Sequence, residues 1–426
     1  MIDEISQRLL DRTRPMRIHL LGVAGSGMSG LAALLLEMGH RVSGSDRVTS
    51  CETERLQLLG LVFSSPHSAE AISDVEVVVY SSAIKPDNVA LVAADRAGIP
   101  SVRRAECLAA ILHTRKGVVV SGTHGKTTNS AMCAHVLKKS GRAISYYVGA
   151  EIPVLGANAH WNEESNYLVA EGDESDGTLA LYRPSHAIVL NIEAEHLDFY
   201  NSLEEIVEVF RTLLEQTSEK IIYCAEDVTA RELCSGREGA LSYGWDDADF
   251  TASDVTEGRG VISFTVWRRS EKLGRVELGI PGRHNVLNAL AAIALADDLG
   301  VDFSLVARSL ASFAGAKRRF ESVYLSSRFH IIDDYGHHPT EIEATLQTAR
   351  SLKPERIVVL FQPHRYSRTQ RLAEEFGVVL QEADIVFVTD VYPASEAPIE
   401  GVGRNTLVEA VERHGDTRCV YHQDLA

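Results

Sequence analysis

From residue 17 almost to the end, short β-branched runs alternate with longer stretches whose apolar positions recur at helical spacing. RIHLLGV (17–23), RVSGSD (41–46) and VEVVVYSSA (75–83) read as strands, and SGLAALLLEMGH (29–40) between the first two reads as a helix. This alternation predicts a parallel sheet wrapped by helices. It restarts at GVVVSG (117–122), followed by the helical TTNSAMCAHVLKKSG, and continues with strands at AIVLNI (187–192) and KIIYCA (220–225). VISFTVWRR (261–269) reads as part of a small antiparallel section, and GRHNVLNALAAIALADDLG (282–300) as a helix closed by Gly300. A third series follows in FHIIDDYGHHPTEIEATLQTAR, RIVVLFQPHR and ADIVFVTDVY. The pattern divides into three segments, 1–107, 108–313 and 314–426, each expected to be an α/β domain. A chain of 426 residues is long enough for that many cores.

Composition narrows the function classes. A formal net charge of -17 argues against general affinity for nucleic acid or an anionic membrane, since both require a surplus of Lys and Arg. No stretch approaches the roughly 18 apolar residues of a membrane span, and the N-terminus has no apolar signal core. The six cysteines are scattered without metal spacing, as expected of reduced thiols in a cytoplasmic protein.

Candidate chemistry gathers where strands end. SGTHGKTTNS (121–130) resembles a phosphate-binding loop, but a Walker motif would place its first Gly where Val120 stands. Gly122, Thr123, His124 and Gly125 leading into Lys126, Thr127 and Thr128 still offer backbone N–H groups, a helix dipole and a cation at one point. Lys126 would meet the outer phosphates of a nucleotide, and Thr127 or Thr128 a Mg²⁺; an ordinary strand-to-helix turn is the alternative. EGDESD (171–176) then puts four carboxylates at the end of the strand NYLVA, and EAEHLDFY (193–200) brings His196 to the same sheet edge. Glu171 and His196 make a plausible second metal site, against the reading of a solvated acidic turn. Asn285 and Asn288 lie three apart on a helix, where paired amides can read adenine or simply form a polar face.

In the third segment Arg319, from AKRRFE, and Asp334, His338, Arg365 and Arg368, from DDYGHHPTE and FQPHRYSRT, favour an anionic ligand over a bound cation. In the first, Gly22, Gly25, Ser26, Gly27, Met28 and Ser29 form a Gly-rich turn at a helix start that would accept a pyrophosphate. Asp46 would meet a ribose or base there, and a plain tight turn is the alternative.

In this order along the chain, from LGVAGSGMSG to DVYPASEAPI, the motifs resemble those of the Mur ligases, whose nucleotide loop is the short GTHGKTT form. The resemblance implies a three-domain α/β architecture: an N-terminal Rossmann-like domain, a central P-loop ATPase-like domain, and a C-terminal Rossmann-like domain cut short at VYHQDLA. It implies ATP and Mg²⁺ as cofactors, and UDP-N-acetylmuramate and L-alanine as partners. The expected chemistry is activation of the sugar's lactyl carboxylate as an acyl phosphate and attack by the amine, in cytoplasmic peptidoglycan precursor synthesis. Lys126, Glu171, His196 and Arg319 would be catalytic, with Lys126 and Thr127 holding phosphates and one Mg²⁺, and Glu171 and His196 the second. Asn285 and Asn288 would take adenine, Arg319 and Asp334 the nucleotide, and His338, Arg365 and Arg368 the alanine and sugar nucleotide. Ser175, where the peptide-recycling relative typically has Tyr, favours addition of a single alanine. So does the lack of a lysine in SLEEIVEVFRTLLEQ. Gly172 and Glu195 depart from the family's usual Ala and Asp, keeping charge and approximate shape. The recycling activity, and an ATP-gated binding protein without chemistry, are the alternatives; a monomer or homodimer is expected.

Overall fold

The computed structural model describes residues 1–11, 13–195, 199–258, 260–394 and 396–421. The chain forms two compact units: Met1–Ser253, Thr265–Glu277 and Leu287–Lys317 make one, and Asp254–Phe264, Leu278–Val286 and Arg318–Ala426 the other.

The first unit opens with a five-stranded parallel sheet in the order Val62–Ser64, Arg41–Ser45, Arg17–Leu21, Val77–Tyr80, Ser101–Arg103. In its middle strand residues 18–21 are all buried, His19 among them, because both faces are covered. Ile18 and Leu20 pack with Leu31 and Leu34 of the helix Ser26–Glu37, whereas Leu21 packs with Ala90 and Ala94 of the helix Val89–Ala97. Burying each such side chain stabilises the fold by about 1.5–3 kcal/mol, so a strand flanked on two faces carries no polar alternation. The helix Arg104–Leu112 follows, and residue 107 lies inside it.

A larger sheet has its parallel core in this unit. Its parallel core runs Ala240–Gly244, Lys220–Cys224, His186–Val189, Lys116–Ser121, Tyr167–Glu171 and Ser145–Tyr147. Past Ala240–Gly244 the sheet continues through Phe250–Gly258, Val261–Arg268 and Glu271–Leu278. The register at its centre decides where chemistry can happen. Val120 lies beside Glu171 and Ser121 beside Val189, so the loops leaving three neighbouring strands emerge together at one edge. The helix Lys126–Lys139 leaves that edge and is buried from Thr127 to Leu137.

In the second unit three parallel strands, Val358–Phe361, Ile385–Val388 and Arg418–Tyr421, pack against helices through Phe376, Leu380, Val386 and Leu407. Glu321–Leu325 pairs antiparallel with His330–Asp333. The helix Arg283–Asp298, which belongs to the first unit from Leu287 on, stops before Gly300, whose φ of 70° allows the left-handed turn that ends it.

Candidate active site

The loop 122–125 is short because a neighbouring strand end holds it from the side. Asn191, just past the strand His186–Val189, accepts from the His124 N–H at 2.7 Å and donates to the His124 carbonyl at 3.1 Å. The Thr123 N–H donates to the Asn191 carbonyl at 3.1 Å, and the Glu193 N–H donates to the Thr123 hydroxyl at 2.8 Å. Gly122 has φ 146°, and a Cβ on it would lie 2.9 Å from that of Leu190, so only glycine lets the two loops approach. Gly125, at φ 83°, starts the helix Lys126–Lys139, whose first turn no side chain caps. A Cβ at Gly125 would stand 3.4 Å from Asn288 Oδ1, and Asn129 donates to the Asn288 carbonyl at 2.9 Å. Asn288 thus sits behind the loop.

Lys126 curls back over its own loop, donating to the carbonyls of Gly122 at 2.6 Å and Thr123 at 3.0 Å, and meets both oxygens of Glu174 at 2.9 and 2.8 Å. Burial alone would lower the pKa of its ammonium. The charges of Glu174, Asp173 and Glu171 outweigh burial and raise it, so the lysine is a cation. Thr127 Oγ1 donates to Glu171 Oε1 at 3.1 Å, while Glu171 Oε2 accepts from the Gly149 N–H at 2.8 Å. The two expected metal ligands are therefore in contact, and they present two oxygen donors, the ligand type Mg²⁺ prefers. His196, the third, lies outside the described residues. In the sequence Glu174 is one carboxylate among four; that it faces Lys126 depends on which strands are neighbours, which spacing along the chain does not reveal.

At the Gly-rich turn, Asp46 Oδ2 accepts from the Ala24 N–H at 2.9 Å and Oδ1 from the Arg47 N–H at 2.7 Å. The N–H groups of Gly22 and Val23 both bond the Ser45 carbonyl, and Gly25 bonds back to Gly22. Ser26 and Gly27 begin the helix, with Met28 and Ser29 buried behind them. Two residues of the larger sheet's domain, Tyr147 and Asn158, reach this helix start. Tyr147 Oη donates to the Gly27 carbonyl at 3.0 Å, and Asn158 Nδ2 to the Ser26 carbonyl at 2.8 Å. A Cβ at Gly27 would lie 3.1 Å from Tyr147 Oη and 3.2 Å from Arg104. The glycine there accommodates protein as well as leaving backbone exposed.

In the second unit the expected residues share one polar face. Asp334 accepts from the N–H groups of Phe320 at 2.8 Å and Gly336 at 2.7 Å, and burial raises its pKa against the opposing pull of Arg319. Arg319 Nη1 lies 3.5 Å from Glu341, whose other oxygen accepts from the N–H groups of His337 and His338. His338 is the N-cap of the helix Pro339–Ser351. The His337 and His364 rings are 5.6 Å apart, and Arg368 Nη1 lies 3.2 Å from His364 Nδ1. Arg365, at φ 72°, faces Glu396 at 3.9 Å. Asn285 donates to the Pro281 carbonyl at 2.7 Å.

The folds and motifs have close counterparts. Residues 17–116 match the description Mur ligase family, catalytic domain; 120–296 match Mur ligase middle domain; and 318–426 match Mur ligase, glutamate ligase domain. A UDP-N-acetylmuramate–L-alanine ligase of Pelotomaculum thermopropionicum is 42% identical over 97% of this chain and 90% of its own length. One from a Geobacter species is 42% identical over 96% and 89%. The crystal structure of a UDP-N-acetylmuramate-alanine ligase from Thermotoga maritima superposes with a TM-score of 0.83, at 31% identity, over 96% of this chain and 91% of that one. With the short nucleotide loop, the acidic strand end and similarity along nearly its whole length, this chain belongs to the Mur ligase family.

Proposed function

We propose that the protein is an ATP-dependent ligase that joins L-alanine to the lactyl carboxylate of UDP-N-acetylmuramate in peptidoglycan precursor synthesis. The observation that carries this reading is the meeting of Lys126, Thr127 and Glu171 at the ends of adjacent parallel strands, in a chain 42% identical to ligases bearing that name.

In this reading the uncapped N–H groups of residues 125–128 and the ammonium of Lys126 cradle the ATP phosphates, which take over Lys126 from Glu174. The lysine stays charged in its buried setting because three carboxylates surround it, so it stabilises the charge that builds up as phosphoryl passes to the substrate carboxylate. Thr127 would hold one Mg²⁺ and Glu171 with His196 a second, which when bound neutralise phosphate charge. Asn285 and Asn288 serve adenine. Arg319 and Asp334 serve the nucleotide, and His338, Arg365 and Arg368 the amino acid and the sugar's carboxylate. The turn 22–29 and Asp46 hold the sugar nucleotide. The amine of alanine then attacks the acyl carbon of the resulting acyl phosphate, the amide bond forms, and phosphate leaves.

The test is mass spectrometry of UDP-N-acetylmuramate incubated with ATP, Mg²⁺ and either L-alanine or the L-Ala-γ-D-Glu-meso-diaminopimelate tripeptide, with phosphate release followed in parallel. The expected product is the single-alanine adduct with one phosphate per adduct. Addition of tripeptide alone would make this the recycling activity, and nucleotide binding without adduct a binding protein.

A further inference from the structure

Between the Gly-rich turn and Lys126 runs an unbroken chain of contacts through one side chain that no motif singled out. Arg104 opens the helix Arg104–Leu112. Its Nη1 donates to Tyr147 Oη at 3.2 Å, and Tyr147 in turn donates to the Gly27 carbonyl at 3.0 Å. Its Nη2 donates to Asp173 at 2.9 Å, and Asp173 also accepts from the Ser175 N–H at 3.0 Å. The next residue, Glu174, is the partner of Lys126. A guanidinium can hold two partners in a fixed fork, which a flexible ammonium does not. Here the fork joins the turn at residue 27 to the acidic loop that faces the nucleotide loop.

We propose that Arg104 is a positioning residue for the phosphoryl-transfer site: it balances the charge of Asp173 and holds the 171–176 loop, so that Lys126 can exchange Glu174 for the ATP phosphates. The physical reason is a count of charges. Glu171, Asp173 and Glu174 place three carboxylates around one lysine, and an incoming triphosphate adds more negative charge. Arg104 is the second cation at that spot. Without it the acidic loop holds Lys126 more tightly and repels the phosphates, so nucleotide affinity falls through Asp173, the carboxylate Arg104 holds. This inference rests on the nucleotide site proposed above, but it requires neither L-alanine nor UDP-N-acetylmuramate to be the true co-substrate.

The experiment measures displacement of a fluorescent ATP analogue by Mg-ATP, with the melting temperature of each variant, for Arg104→Ala, Asp173→Asn and the double variant. Arg104→Ala is expected to weaken ATP about tenfold, the scale of a lost charge-assisted contact that is partly screened. Asp173→Asn in the Arg104→Ala background is expected to recover at least threefold of that loss, because the uncompensated charge has been removed. A merely structural arginine would show a lower melting temperature in both backgrounds, with no recovery of affinity. ATP affinity within twofold of wild type in Arg104→Ala, or a double variant no better than the single one, overturns the proposal. Wild-type protein that binds ATP yet forms no alanine adduct would count against the proposed reaction and leave this measurement readable.

Discussion

Lys126 serves two partners, and the two can be separated by substitution. Lys126→Ala is expected to reduce ligation by a hundredfold or more, the usual scale for removing one charge-stabilising group at a reacting phosphoryl. It also strips a buried carboxylate of the cation 2.8 Å away, which costs on the order of 3 kcal/mol of stability. Glu174→Gln in the same chain should restore most of the melting temperature without restoring turnover; recovered turnover would remove Lys126 from the phosphoryl-transfer step. Glu171 is different, because its oxygens already have a hydroxyl and a backbone N–H as donors. Glu171→Gln keeps those contacts in part but removes the negative charge a cation needs. The expected result is a raised Mg²⁺ requirement, at least tenfold, with ATP-analogue binding in the absence of metal unchanged. An unaltered Mg²⁺ titration would sink the metal assignment.

The strand-to-helix turn at 122–126 could be read from sequence as an element but not as a structure. Continuous apolar runs such as GVVVSG and AIVLNI announced their strands because both faces are buried. Gly122, Gly125 and Lys126 then announced a loop able to meet phosphates. What stayed hidden was everything set by register: that Val120 lies beside Glu171, that Asn191 grips His124, and that Glu174 faces Lys126. Those partners are 48 to 67 residues apart, and pairing at such distances depends on which strand neighbours which. The helix Arg104–Leu112 is hard to see in the sequence for a related reason. Its residues are buried almost all round, so it lacks the polar stripe that marks an amphipathic helix. The Asn191 clamp yields a prediction for the element as a whole. Asn191→Ala removes the side chain that bonds both the N–H and the carbonyl of His124, and each such bond contributes about 1 kcal/mol. ATP affinity should drop about tenfold with the far-ultraviolet circular dichroism unchanged; unchanged affinity would mean that the loop holds its shape without the clamp.

For the whole molecule, acid should act through two opposed effects. At pH 7 the formal charge is -17, so protonation relieves some self-repulsion, which favours the compact state and offsets part of the opposing loss. Against this stand buried histidines. His19 is fully buried between Ser43 Oγ at 2.8 Å and Ser45 Oγ at 3.0 Å. Desolvation, with a smaller contribution from His67, brings its pKa down to about 4 from the ordinary 6.5. Burial likewise lowers His40 and His135. A histidine with a depressed folded pKa binds its proton more readily when unfolded. Its contribution is complete above pH 6.5 and drains away as pH falls from 6.5 towards 4. For His19 alone the loss reaches about 2.5 kcal/mol by pH 4.5. Asp173, held down to about 2 against its own burial by Arg104 and Lys126, keeps its contribution until the pH falls below 3.8. Acid unfolding should therefore begin in the histidine range, before the carboxylates titrate. Urea denaturation at pH 7.5, 6, 5 and 4.5 is expected to show stability falling across this series, and His19→Gln to flatten the fall by about 2 kcal/mol. The same slope in both proteins would mean that His19 takes up its proton without cost and that other groups govern the acid response.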